Sequence, residues 1–195
     1  MESKFRKERE IEGRKKREEF AVPVSVHNRL CREVENVAKR VRKSNRSLSA
    51  ETTCSSSGAT FDAMVEISGL PSALVVNWEG DFEPDEQAMR KTRKVILDAL
   101  LEVQKGIKKR RGLLVAVTLQ PVETLLLLYG RDQPVMTTRW MQADDPEDIK
   151  NLVMRCKKML RGLWANQWEV ECLQIKFRYD HEVAQRGYKT SPGSE

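Results

Sequence analysis

Two stretches of this chain carry the same helix-start signal, and each stands between segments patterned as strands. In the first, Pro84, Asp85 and Glu86 open a long apolar-periodic run. Proline suits a first helical turn, and acids favour the positive end of the helix dipole. Met89, Ile96, Leu100, Val103 and Ile107 form its stripe. Lys108 to Arg111 then fall at the expected negative end, with Gly112 placed as a left-handed cap. In the second, Asp145 is the cap, followed by Pro146, Glu147 and Asp148. Its stripe is Ile149, Leu152, Val153, Cys156, Met159, Leu160 and Leu163, and Gly162 lies near its end.

The flanking segments read as strands. "TFDAMVEISGL" alternates, with Phe61, Ala63, Val65 and Ile67 on one side. "ALVVNWEG" is a second short strand, and "LLVAVTL" (113–119) is a continuous apolar run suited to a central one. "TLLLLYG" (124–130) and "VMTTRWMQ" (135–142) follow, with "RDQP" as the turn between them. In "WEVECLQIKFRYD", Val170, Cys172, Ile175 and Phe177 break strict alternation once, which points to a bulge.

This order predicts an α+β fold: a split βαβ-like sandwich, an antiparallel sheet with two helices on one face. RNA-recognition modules of similar order stack bases on sheet aromatics. Here "RGLLVAVTL" has aliphatics in their place, so that mechanism is not expected. A sheet this aliphatic predicts cover on both faces, the second supplied by the arm or by another copy, and hence a homo-oligomer.

Charge is unevenly distributed over the 195 residues, whose net charge is +6. Residues 1–46 hold 15 Lys/Arg against 8 Asp/Glu, and the rest of the chain is nearly balanced. Residues 1–20 alternate cations with glutamates and have little to bury, as a solvated helix or disordered segment does. In 25–42, Val26, Leu30, Val34, Val37 and Val41 make an amphipathic stripe, with Arg29, Arg32, Lys39, Arg40 and Arg42 off it. Residues 43–59 are rich in Ser and Thr and read as a linker. The expected organisation is a basic arm (1–42) including the amphipathic helix, a linker (43–59), a globular domain (60–182) and a flexible tail (183–195).

A basic arm on a near-neutral domain points to polyanionic partners. The candidate contacts are Arg14, Lys15, Lys16 and Arg17 in "GRKKR"; a further phosphate patch, joined by Arg90, Lys91, Arg93 and Lys94 one or more turns back, is 108–111. Both runs also have the composition of nuclear import signals. Lys150, Lys157, Lys158 and Arg161 form a second basic face on the later helix, whereas Lys94, Lys105 and Lys109 share a face with Asp98 and Glu102. Basic solvated faces and cations at helix ends also occur without any ligand. Phosphorylation of Ser44, Ser47 or Ser49 is expected to cut the arm's charge. Trp78, Trp140, Trp164 and Trp168 suit core or interface positions better than base stacking, because no aromatic-basic alternation surrounds them.

Catalytic chemistry has little support. Cys31, Cys54, Cys156 and Cys172 show no CxxC spacing, and His27 and His181 are the only histidines. Neither a disulfide framework nor a zinc site is expected, nor any cofactor. His181 lies between Asp180 and Glu182, a setting that an exposed strand end produces without catalysis. "SSSGAT" lacks the lysine of a phosphate loop. With no apolar leader and no spanning run, a soluble cytoplasmic or nuclear protein with reduced thiols is expected. The sequence therefore points to a non-enzymatic nucleic-acid-binding protein, RNA favoured, with a self-associating domain. The alternative is a matrix- or scaffold-type assembly protein whose arm meets an acidic membrane or a protein.

Overall fold

A computed structural model describes residues 2–121, 136–165 and 170–186. The elements in chain order are α1 (Glu2–Glu19), α2 (Val24–Ser44), β1 (Ser49–Ser57), β2 (Thr60–Ser68), β3 (Leu74–Val76), β4 (Phe82–Pro84) and α3 (Glu86–Gly106). They continue as β5 (Leu113–Pro121), β6 (Met136–Thr137), β7 (Met141–Gln142), α4 (Pro146–Ala165), β8 (Val170–Asp180) and α5 (His181–Arg186). The main sheet runs β1-β2-β8-β5-β6, with β7 also paired to β5, and every pairing in it is antiparallel. The chain is thus α+β with an antiparallel sheet. β2 and β5 flank β8, and α3 carries the chain across between them.

Alternation decides which side of the sheet is wet. Phe61, Ala63, Val65 and Ile67 of β2 pair with Tyr179, Phe177, Ile175 and Leu173 of β8. Leu113, Val115, Val117 and Leu119 of β5 pair with the same four residues. All twelve are buried beneath the helices. The opposite face is polar. Gln174 Nε2 donates to Glu66 at 3.0 Å and to Gln120 at 3.2 Å, Arg178 Nε donates to Asp62 at 2.8 Å, and the Thr118 and Thr137 hydroxyls meet at 3.0 Å. The expected second apolar face is therefore corrected: the aliphatic excess of β5 lies largely on the helix side, and hydrogen-bonded side chains occupy the outer side.

The helical layer is also larger than expected. Leu30, Val34, Val37, Ala38 and Val41 of α2 are buried, and α2 packs on α3, β1 and β2. The stripe read from the sequence is real, but it faces the core rather than a partner. Gly106 permits the approach of α3 to α2, because a Cβ there would sit 2.9 Å from a Val37 methyl carbon. The two-helix layer becomes a layer of three.

The linker reading of 43–59 is corrected by β1, whose nine residues pair in unbroken register with β2. Low hydrophobicity misleads here because an edge strand has its backbone satisfied by the ladder and needs little burial of its own. α2 covers Ala50, and Arg42 donates to the Ala50 carbonyl. Glu35 fastens the same junction, accepting from Arg42 at 2.8 Å and from Thr52 at 2.7 Å.

Both helix starts behave as expected at the acid. Asp85 accepts from the Ala88 backbone at 2.8 Å, and Asp145 from the Glu147 backbone at 2.9 Å. Pro84, however, ends β4, which pairs with β3 in a separate hairpin. The break in alternation between Cys172 and Ile175 is not a bulge: the register there is continuous, Leu173 joins Ile175 and Phe177 on the helix side, and the register shift lies at Gln120/Pro121, opposite the Val170–Cys172 segment. The strand expected over 124–130 lies outside the described residues, as do Trp168 and residues 187–195. Residues 183–186 of the expected tail belong to α5.

Candidate nucleic-acid interface

The four cations at 108–111 are not the last turn of α3. That helix ends at Gly106, where the Ile107 amide still reaches the Val103 carbonyl at 2.9 Å. Lys108 to Arg111 form the connection to β5. Gly112 does not cap α3; its positive φ of 80° serves the turn into the strand. The dipole explanation for these cations therefore weakens, since its effect fades within the terminal turn.

Glu33 of α2 holds this connection against the domain. Arg110 Nη2 donates to its carboxylate at 2.6 Å, and Lys108 Nζ lies 3.9 Å from it. Arg110 and Glu33 are mostly covered, whereas Lys108, Lys109 and Arg111 are exposed. Arg29 stands nearby: Arg29 and Arg110 both act on the Tyr179 phenol. Burial pushes that phenol up, and the two guanidinium charges oppose the rise. Its hydroxyl meets His181 Nδ1 at 3.0 Å, which gives His181 a structural contact.

The α1–α2 joint reaches the same end of the sheet. The Val22 amide donates to the Gly58 carbonyl at 2.9 Å, in the β1–β2 turn, and the His181 amide donates to Ala59 at 2.8 Å. The Arg186 guanidinium lies 4.3 Å from the Phe20 ring centroid, and α5 closes over Gly112 through Ala184. One end of the sheet thus gathers the base of α1, Arg29, the 108–111 connection and Arg186. From that joint α1 is exposed wherever its side chains are described, including Phe5, Ile11, Arg14 and Lys15. Lys16 and Arg17 continue the same helix.

The other sequence candidates fall elsewhere. Lys150, Lys157, Lys158 and Arg161 are exposed on the solvent face of α4, around an exposed Met154. Lys94, Lys105 and Lys109 do not share one helix face, because Lys109 is past the helix end; Lys105 pairs with Glu102 at 3.1 Å. Trp140 lies on the outer sheet face, with the Arg178 guanidinium 4.9 Å from its ring centroid. It is only 36% exposed, and Arg178 covers the face that a base could use. The Ser44 and Ser47 hydroxyls bond Val41 and Asn45, and Ser49 opens β1. The basic end lies at the other end of β1, about 27 Å away at the rise of an extended strand. Phosphates on these serines are thus too distant to neutralise it through direct contact.

Sequence reasoning missed Glu33 as the partner of Arg110 and Lys108. It also missed that Cys31 and Cys54 meet. The spacing of His27 and Cys31, one helical turn apart, was the available signal. Among the described residues, no helix is long and apolar enough to cross a membrane. No family model, curated protein or solved structure matches the chain.

Proposed function

We propose that this protein binds nucleic acid, RNA first, through the basic end of its sheet and the helix that projects from it. The observation that carries this reading is the convergence of the 108–111 connection, Arg29 and the base of α1 at one end of a folded domain. Phosphates are read by such cations without base specificity, and each contact releases counterions. A membrane role for these segments has less support. α1 carries only Phe5 and Ile11 as apolar residues, and the apolar face of α2 is used by the core; interfacial helices need a free apolar face. No catalytic role is part of this reading.

The test is a fluorescence titration against RNA, single-stranded DNA and duplex DNA at three salt concentrations. The whole chain is compared with a chain beginning at Phe20 and with a Lys108→Ala, Lys109→Ala, Arg111→Ala variant. Salt-steep binding is expected. Each change should lower affinity and flatten the slope by about 0.9 for every duplex phosphate that is no longer neutralised. Absence of binding by the intact chain at low salt defeats the proposal.

A second reading, assembly, rests on the β3–β4 hairpin. Val75 is 45% exposed, Val76 60% and Trp78 92%. Large apolar residues grouped this way favour a protein contact. Sedimentation of the wild type and Trp78→Ser tests it: a wild-type oligomer that the variant dissociates supports it, and a monomer at all concentrations removes it.

A further inference from the structure

We propose that His27, Cys31 and Cys54 form a peroxide-reactive dithiol site, in which Cys31 is oxidised first and Cys54 then closes a disulfide between α2 and β1. The inference uses residues that play no part in nucleic-acid binding.

The geometry begins with α2, which places His27 and Cys31 on one face, one turn apart. Cys31 Sγ lies 3.4 Å from His27 Nε2, and His27 Nδ1 lies 2.5 Å from Ser56 Oγ. The edge of the Phe61 ring system meets the imidazole at 5.4 Å between centroids and 77° between planes. Cys54 and Ser56 are alternate residues of β1 and so share its helix-side face. Cys54 stands to Cys31 along β1 as Ser56 stands to His27, one helical turn and two strand residues away, and the two thiols are close enough to act on each other. The cluster is a nucleophile, a base and an orienting hydroxyl, with a second thiol beside the first. Among the described residues no three potential ligands gather as a metal site.

With Nδ1–H donated to Ser56, Nε2 accepts the Cys31 proton. The resulting thiolate is held against the imidazolium 3.4 Å away. Thiolate sulfur attacks one oxygen of hydrogen peroxide, the O–O bond breaks, and the leaving hydroxide takes the proton from His27. The products are Cys31 sulfenic acid and one water. Cys54 sulfur then attacks Cys31 sulfur and displaces hydroxide, which takes the Cys54 proton and leaves as a second water. Both thiols together lose two electrons, and one peroxide gains two. Burial, with the neighbouring Cys31 and the nearby Glu35 carboxylate, pushes the Cys54 thiol up to about 12. Cys54 therefore waits as a thiol until Cys31 is oxidised. Cys31 and Cys54 are partly buried, whereas Cys156 and Cys172 are buried and serve as internal controls.

The experiment treats the full reduced chain with limiting hydrogen peroxide, with and without dimedone, and maps the cysteine peptides. A dimedone adduct on Cys31 is expected early, and a Cys31–Cys54 disulfide without the trap. Cys54→Ser is expected to accumulate the sulfenic acid. His27→Ala is expected to slow Cys31 oxidation by at least about tenfold, the low side of what a positioned base supplies. Ser56→Ala, at an exposed position, keeps the test available if His27→Ala fails to fold, and is expected to slow the same step less. Oxidation of Cys31 no faster than Cys156, or no faster than in the urea-unfolded chain, overturns the proposal. So does an unchanged Cys31 rate in a folded His27→Ala chain.

Discussion

At the residue scale, single atoms decide several outcomes. Gly112 combines a φ of 80° with a close approach: an added Cβ would lie 2.7 Å from the Asp180 carbonyl. Gly112→Ala is expected to destabilise the chain by about 1–3 kcal/mol in urea melts. Gly13, in α1, has open space around it. Gly13→Ala should leave the global transition in place. Glu35 supplies a pH dependence. Hydrogen bonds from Arg42 and Thr52 hold its carboxyl below the ordinary value of 4.5. A depressed carboxylate stabilises the fold above its unfolded value, and that contribution is lost as pH falls through the folded value. The stability gap between wild type and Glu35→Gln should therefore narrow on going from about pH 6 to about pH 3. Thermal melts across that range check it, and a gap that widens on acidification refutes the assignment.

At the element scale, α2 separates the structure from the arm-and-linker reading. An undocked helix would tolerate loss of its apolar side chains. Leu30 is buried in the shared core, so Leu30→Ala is expected to cost about 2–5 kcal/mol. Leu160, fully buried in α4, should cost a similar amount by the same mechanism. Chemical denaturation of both variants compares the two helices directly; a null effect for Leu30 alone would return α2 to the arm. The β3–β4 hairpin behaves in the opposite way. Trp78 is 92% exposed, so Trp78→Ser should change monomer stability by no more than about 0.5 kcal/mol.

At the scale of the whole molecule, the folded unit begins near the α1–α2 joint. A chain starting at Phe20 should melt as the full chain does, because α1 leaves its described side chains exposed. A chain starting at Thr60 loses α2 and β1, which uncovers Phe61, Val65 and Ile67. It is expected to be insoluble or molten, which circular dichroism and dye binding would show. Truncation at Thr60 thus tests folding, and truncation at Phe20 tests binding.

What the sequence determined by itself is local. Hydrophobic periodicity marked α2, α3 and α4, capping acids marked two starts, and alternation marked β2, because each signal depends on neighbours within a few residues. The concentration of cations in residues 1–46 is likewise a property of the string. Only the tertiary structure decided that α2 faces the core, that a serine-rich segment is an edge strand, and that Glu33 draws Arg110 onto α2. It alone brought Cys54 to Cys31. The physical reason is the same in each case: these outcomes depend on which distant surface covers a face or pairs a backbone, and a one-dimensional pattern records the need for a partner without naming it.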